Sequence, residues 1–334
     1  MNVRRLIPTA AIAGAVSLGL VTLSACGGAS DASDKSADGK LSVVASFYPM
    51  QYLAEQIGGD HVAVSTLTAP GVEPHDLELK PKQIGELGEA DYILYLKGIQ
   101  PAVDEAIKQA GVKNTVDAAS LTTMEDHGTA GGHDHGAEDP GHGHEEGHEE
   151  SHEGHSHESE AGLDPHIWLD PVKYAEVAKG VGASLEKADP DNAADYKKNT
   201  DTLVKKLGDL DTAFKNGLKN TSTKTFITTH SAFGYLAERY GLDQEGITGI
   251  DPESEPSPAR MKELQEIAAK DKVSTVFFET LASDKTAKTL AKDTGLKTDV
   301  LDPLEGITDK SQGDDYIEVM QSNLTALKKA LGAK

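Results

Sequence analysis

Two segments of this chain set an acidic residue, a proline and a histidine in a row. They are Glu73-Pro74-His75 in "GVEPHDLELKP" and Asp164-Pro165-His166 in "GLDPHIWLDP". Of thirteen histidines, nine crowd into residues 127–157. Of the other four, His61 follows Asp60 at a helix–strand junction and reads as surface. His75, His166 and His230 remain as candidates for chemistry. Imidazole is the commonest metal-binding side chain near neutral pH. Three imidazoles with one carboxylate suit tetrahedral Zn2+, whereas oxygen-rich sets suit Mn2+ or Mg2+. Pro74 and Pro165 fix one torsion beside each candidate and remove a backbone donor, so less entropy is lost when the loop closes on an ion. A single such histidine is ordinarily a loop or capping residue. Three at loop or strand ends, two of them in matching tripeptides, favour a metal.

The elements that must position these residues alternate. "LSVVASF", "VAVSTLT", "DYILYLK" and "KNTVDAAS" read as strands, separated by helical "PMQYLAEQIGGD", "PKQIGELGEA" and "PAVDEAIKQAG". The second half repeats the pattern, with strands "KTFITTH", "QEGITGI", "VSTVFFET" and "KTDVLDP" and helices between and after them. Such alternation implies βα units and largely parallel sheets. His230 ends the strand "KTFITTH", and ligands of open α/β sheets bind outside the carboxyl ends of strands. "PVKYAEVAKGVGASLEKA" reads as a helix, and a long helical pattern follows from Asp189 to about residue 220. The expected fold is α/β: two lobes, each a mainly parallel sheet flanked by helices, joined by one long spanning helix. The lobes are expected at 41–188 and 221–334, with the linking helix at 189–220.

Residues 125–160 hold many Gly, Glu and His and almost nothing to bury, so no fixed structure is expected there. Weak capture of Zn2+ by His133, His135, His142, His144, His148, His152, His155 and His157 fits that composition. No Lys or Arg lies between Lys113 and Lys173, and the net charge of −23 excludes nucleic acid as a partner. The N-terminus carries a basic "MNVRR", an apolar run of 17 residues and "LSAC". This describes a signal peptide over residues 1–25. Cys26, the only cysteine, follows in the manner of a lipidation site. Residues 26–40 read as a flexible tether.

"EPH" after a second strand, "DPHIWLDP", "TTHSAFGYLAERYGL", and "FFET" followed by "LDPLEG" occur in that order. In these the chain resembles the substrate-binding lipoproteins of zinc and manganese ABC importers (cluster A-I, or cluster 9). The likeness runs over nearly all of residues 41–334. It implies a metal held between two α/β lobes by His75, His166 and His230. The fourth ligand in the family is a carboxylate after the last strand; here that means Glu305, with Asp302 as the alternative. The resemblance also implies an ABC permease as partner and an anchored position outside the bacterial cytoplasmic membrane. Manganese members commonly carry a carboxylate where this chain has His230, so zinc is the expected cargo. A histidine-rich loop is found in many zinc-selective members. Glu279 in "FFET", at a strand end, is expected to orient a ligand or join the lobes.

An enzyme is not expected, because a catalytic zinc keeps an open position and these donors close the sphere. The competing zinc-hydrolase reading rests on "HEEGH" (His144–His148), which fits H-E-x-x-H formally. Its Gly-rich, acidic surroundings disfavour the helix that motif needs. A manganese carrier of the same fold is the nearer alternative. Adhesion, a role attached to relatives, leaves no signature in the residues. The chain is expected to act as a monomer.

Overall fold

The computed structural model describes residues 39–127 and 163–334. The first lobe runs β1 (Leu41–Ala45), α1 (Tyr48–Gly58), β2 (Val62–Thr66), α2 (Pro81–Glu89), β3 (Tyr92–Tyr95), α3 (Pro101–Ala110) and β4 (Thr115–Asp117). Helices α4 (Pro171–Ala188) and α5 (Ala193–Leu218) follow and pack against each other. The second lobe runs β5 (Thr225–Thr228), α6 (Gly234–Tyr240), β6 (Asp243–Gly246), α7 (Pro258–Lys270), β7 (Thr275–Phe278), α8 (Lys285–Thr294), β8 (Lys297–Val300) and α9 (Tyr316–Ala330).

Among the described residues, each lobe holds one wholly parallel sheet of four strands, in order β2-β1-β3-β4 and β6-β5-β7-β8. The two orders match. In both, the first strand of the lobe lies between the second and third, so the chain reverses direction across the sheet there. That reversal opens a crevice at the strands' carboxyl ends. The α/β expectation with two parallel sheets is borne out.

Helix α5 is 26 residues long, about 39 Å at 1.5 Å per residue. Its buried Tyr196, Thr200, Leu203, Leu207, Leu210, Phe214 and Leu218 recur at helical spacing and form one stripe. The helical pattern read from Asp189 starts later, at Ala193. Pro190–Asn192 make a 3-10 turn instead, with the Asp189 carboxylate accepting from Asn192 Nδ2 and Tyr196 Oη. Helix α6 does not start directly after β5 but at Gly234. Thr228 Oγ1 and Gln244 Nε2 donate to the His230 carbonyl and hold the chain in a turn there.

One apolar core runs through both lobes and the helices between them. Trp168 meets Phe47 edge-on at 5.1 Å, and Tyr316 packs on Tyr174 at 4.7 Å and Tyr52 at 5.4 Å between ring centres. Three buried bonds cross the same region. Tyr174 Oη donates to the Pro49 carbonyl, Tyr316 Oη to that of Trp168, and Trp168 Nε1 to that of Pro303. The lobes are therefore tied by packing as well as by chain.

A candidate metal centre between the lobes

His75 sits in the loop after β2. That loop is pinned by Thr68 Oγ1 donating to the Ser46 carbonyl and by Gln83 Nε2 donating to that of Leu67. The Glu73 carboxylate accepts from the backbone N–H of His75 at 3.0 Å and of Asp76 at 3.2 Å. Asp164 makes the same bond to the backbone N–H of His166, at 3.0 Å. This explains the paired tripeptides. Proline has no N–H, so the acid two residues before the histidine reaches the histidine's own amide and closes a tight turn. The acid is thus as much a part of each segment as the proline.

Two of the three rings are aimed through the second nitrogen. Nδ1 of His166 lies 2.7 Å from Asp164, and Nδ1 of His230 lies 2.8 Å from Glu279. Glu279 also accepts from Thr229 Oγ1 at 2.5 Å. Histidines that bind metals ordinarily give the other ring nitrogen to a carboxylate or carbonyl in this way, which fixes the tautomer.

Glu305 lies in the loop after β8. Its Oε1 is 3.3 Å from Nε2 of His75, 3.3 Å from Nε2 of His166 and 3.2 Å from Nε2 of His230. A tetrahedral zinc with bonds of about 2.0–2.1 Å separates neighbouring ligand atoms by about 3.3–3.4 Å. Glu305 therefore stands from each of the three imidazoles at the length of a tetrahedron's edge, and the four ligand atoms all lie within 4.8 Å of one another. The set is closed to solvent: the His75 side chain is 9 % exposed, and those of His166, His230 and Glu305 are 1 % exposed or less.

Burial alone would push the Glu305 carboxyl up. The His230 charge, with the His166, His230 and His75 rings facing the carboxylate, outweighs it and holds the carboxyl well below its usual range. Burial opposes a charge on His230, but Glu279 and Glu305 hold that ring well above the ordinary imidazole value. His166 is raised in the same way, against burial, by Asp164 and Glu305. Among the described residues, Nε2 of His166 and Oε2 of Glu305 are buried without a hydrogen-bond partner. Buried polar atoms are rarely left so, and a cation amid these donors would engage them.

Asp302 stands outside this group. Its Oδ1 accepts from the Leu304 amide at 2.8 Å and its Oδ2 from Thr280 Oγ1 at 3.1 Å. Asn323 brackets its backbone, accepting from the Asp302 N–H and donating to its carbonyl. Leu304, between the two acids, holds φ at 59°. A bulky residue takes that left-handed conformation only under constraint from its surroundings. The turn points the two acids different ways.

Two further features were not anticipated from sequence. His61 is only partly exposed and meets Asp195 at 2.9 Å. Glu125 and His127, placed by composition in the unstructured stretch, have defined partners. The Glu125 N–H donates to Tyr235 Oη, its carbonyl accepts from the Asp164 N–H, and His127 Nδ1 faces Asp164 at 2.8 Å. These partners are distant in sequence, so composition gave no sign of them. His133, His135, His142, His144, His148, His152, His155 and His157 lie outside the described residues, as does Cys26.

The family model described as "Zinc-uptake complex component A periplasmic" (ZnuA) matches residues 43–330. The chain is 38 % identical over 322 residues to the zinc-binding lipoprotein AdcA of Streptococcus pneumoniae, covering 94 % of this chain and 60 % of that relative. It is 38 % identical over 319 residues to the high-affinity zinc uptake system protein ZnuA of Bacillus subtilis, covering 93 % of this chain and 94 % of that one. It superposes on the Zn(II)-bound ZnuA-like domain of S. pneumoniae AdcA with a TM-score of 0.69 at 33 % identity, over 88 % of this chain and 99 % of that structure. The resemblance carried by the four sequence motifs is thereby borne out, and the chain belongs to the ZnuA family.

Proposed function

We propose that this protein binds Zn2+ as cargo through Nε2 of His75, His166 and His230 and a carboxylate oxygen of Glu305, and delivers it to the permease of an ABC importer. The observation that carries this is the single Glu305 oxygen standing 3.2–3.3 Å from three imidazole nitrogens. The relatives named for zinc binding and zinc uptake support the same cargo. Three nitrogens and one oxygen serve zinc better than manganese, which favours oxygen-rich sets. Four protein donors leave no open position for a reacting water, so the reading is of a carrier and not a hydrolase. Lipidation at Cys26 would hold it outside the cytoplasmic membrane as a monomer. The histidines of residues 133–157 would collect ions loosely beside the cleft.

The test is the metal content of purified protein after dialysis against a mild chelator, followed by diffraction at the zinc absorption edge. One retained zinc per chain, with anomalous density about 2.0–2.1 Å from the three Nε2 atoms, is expected. Retention of that zinc in a His230→Ala variant would overturn the ligand assignment. Preferential retention of manganese from an equimolar mixture would overturn the cargo.

A further inference from the structure

We propose that Glu125, His127 and Glu238 form a second site for a divalent cation of the zinc class, separate from the first cluster and joined to it through Asp164. One candidate ligand atom from each of these three residues lies within 4.8 Å of the other two. Nε2 of His127 is 3.1 Å from a carboxylate oxygen of Glu238, close to the edge of a zinc tetrahedron.

The orientation of His127 points the same way. Its Nδ1 is 2.8 Å from Oδ2 of Asp164, a carboxylate that is itself buried. The other oxygen of the same Asp164 is 2.7 Å from Nδ1 of His166. One carboxylate therefore orients two imidazoles alike, each by Nδ1, and leaves each Nε2 facing a glutamate. This is the arrangement by which a protein prepares a histidine for a metal.

The ring is also seated. It stands edge-on against Tyr235, with centres 4.3 Å apart. Gly234 makes the room: a Cβ there would lie 2.6 Å from both Cβ and Cγ of His127. Lys173 Nζ bonds Glu125 at 2.6 Å and keeps that carboxylate ionised. Glu238 is 60 % exposed, so an ion reaches the group from solvent and water completes its sphere. The first cluster is sealed. The second therefore binds more weakly and exchanges faster. The competing account is a plain ion pair, with a protonated His127 bridging Asp164 and Glu238 and holding no metal.

The test uses the full chain with the eight histidines from His133 to His157 changed to glutamine, which removes competing imidazoles. Calorimetric titration with Zn2+ alone is expected to show a tight equivalent and a weaker one. Glu238→Gln keeps the Asp164–His127 bond and is expected to weaken the second equivalent at least about tenfold while sparing the first. His230→Ala is expected to do the reverse, so failure here is distinct from failure of the cargo site. Diffraction at the zinc edge should place a peak about 2.0–2.1 Å from His127 Nε2. A single equivalent, a second one indifferent to both Glu238→Gln and His127→Gln, or no peak at His127 would overturn the proposal.

Discussion

Asp164 holds His166 twice, accepting from its backbone N–H at 3.0 Å and meeting its ring Nδ1 at 2.7 Å. The residue that shapes the turn is thus also the residue that aims the imidazole. Asp164→Asn keeps the size and one acceptor but loses the charge. Zinc affinity is expected to fall about 10–100-fold with the fold retained. Competition against a zinc chelator measures the first, and circular dichroism the second. Unchanged affinity would make Asp164 a turn residue only.

The two acids of the last loop separate by the same measurement. Glu305→Gln removes the charge facing three imidazoles and is expected to abolish chelator-resistant zinc. Asp302→Asn disturbs a loop bond to Leu304 and should cost no more than about 1–3 kcal/mol of stability, with zinc still held. The opposite ranking would make Asp302 the ligand.

Stability should depend on pH in opposite directions with and without metal. His166 and His230 are raised above 6.5, so in the metal-free protein each contributes stability that is full below that pH and is lost as pH rises through its raised value. Glu305 is lowered from 4.5, so its contribution is present above that pH and lost as pH falls through its lowered value. On the proposed ligand assignment, Zn2+ would take the place of the ring protons. The gap in Tm between zinc-loaded and metal-free protein should therefore widen from about pH 5 to about pH 8. A constant gap would mean that zinc displaces no protons.

Trp168 binds the His166 segment to the last loop, through Nε1 to the Pro303 carbonyl. Trp168→Phe strands that buried carbonyl, and urea unfolding should show a loss of about 1–3 kcal/mol. Because Pro303 lies two residues from Glu305, zinc dissociation should also quicken. Slowed or unchanged release would separate this contact from the site.

Much of this was legible in the chain because it is local. Strand–helix alternation gave two parallel sheets, and acid-Pro-His encodes a turn whose bond spans only two residues. Glu279 at a strand end was expected beside a ligand, but that its partner is His230, and that Asp164 meets His127, joins positions far apart in sequence that no local pattern pairs.

The choice between the two acids of "LDPLEG" shows where sequence stops. Asp302 and Glu305 offer the same chemistry three residues apart in one loop, and their types alone do not rank them. The sequence by itself determined the donors available: three imidazoles outside the tract and a carboxylate after the last strand. Which carboxylate faces the imidazoles was decided by the turn at Leu304, at φ 59°, and by Asn323 on α9 clasping the Asp302 backbone. A left-handed leucine is stable only because its surroundings hold it, so that information exists only once the second lobe has packed.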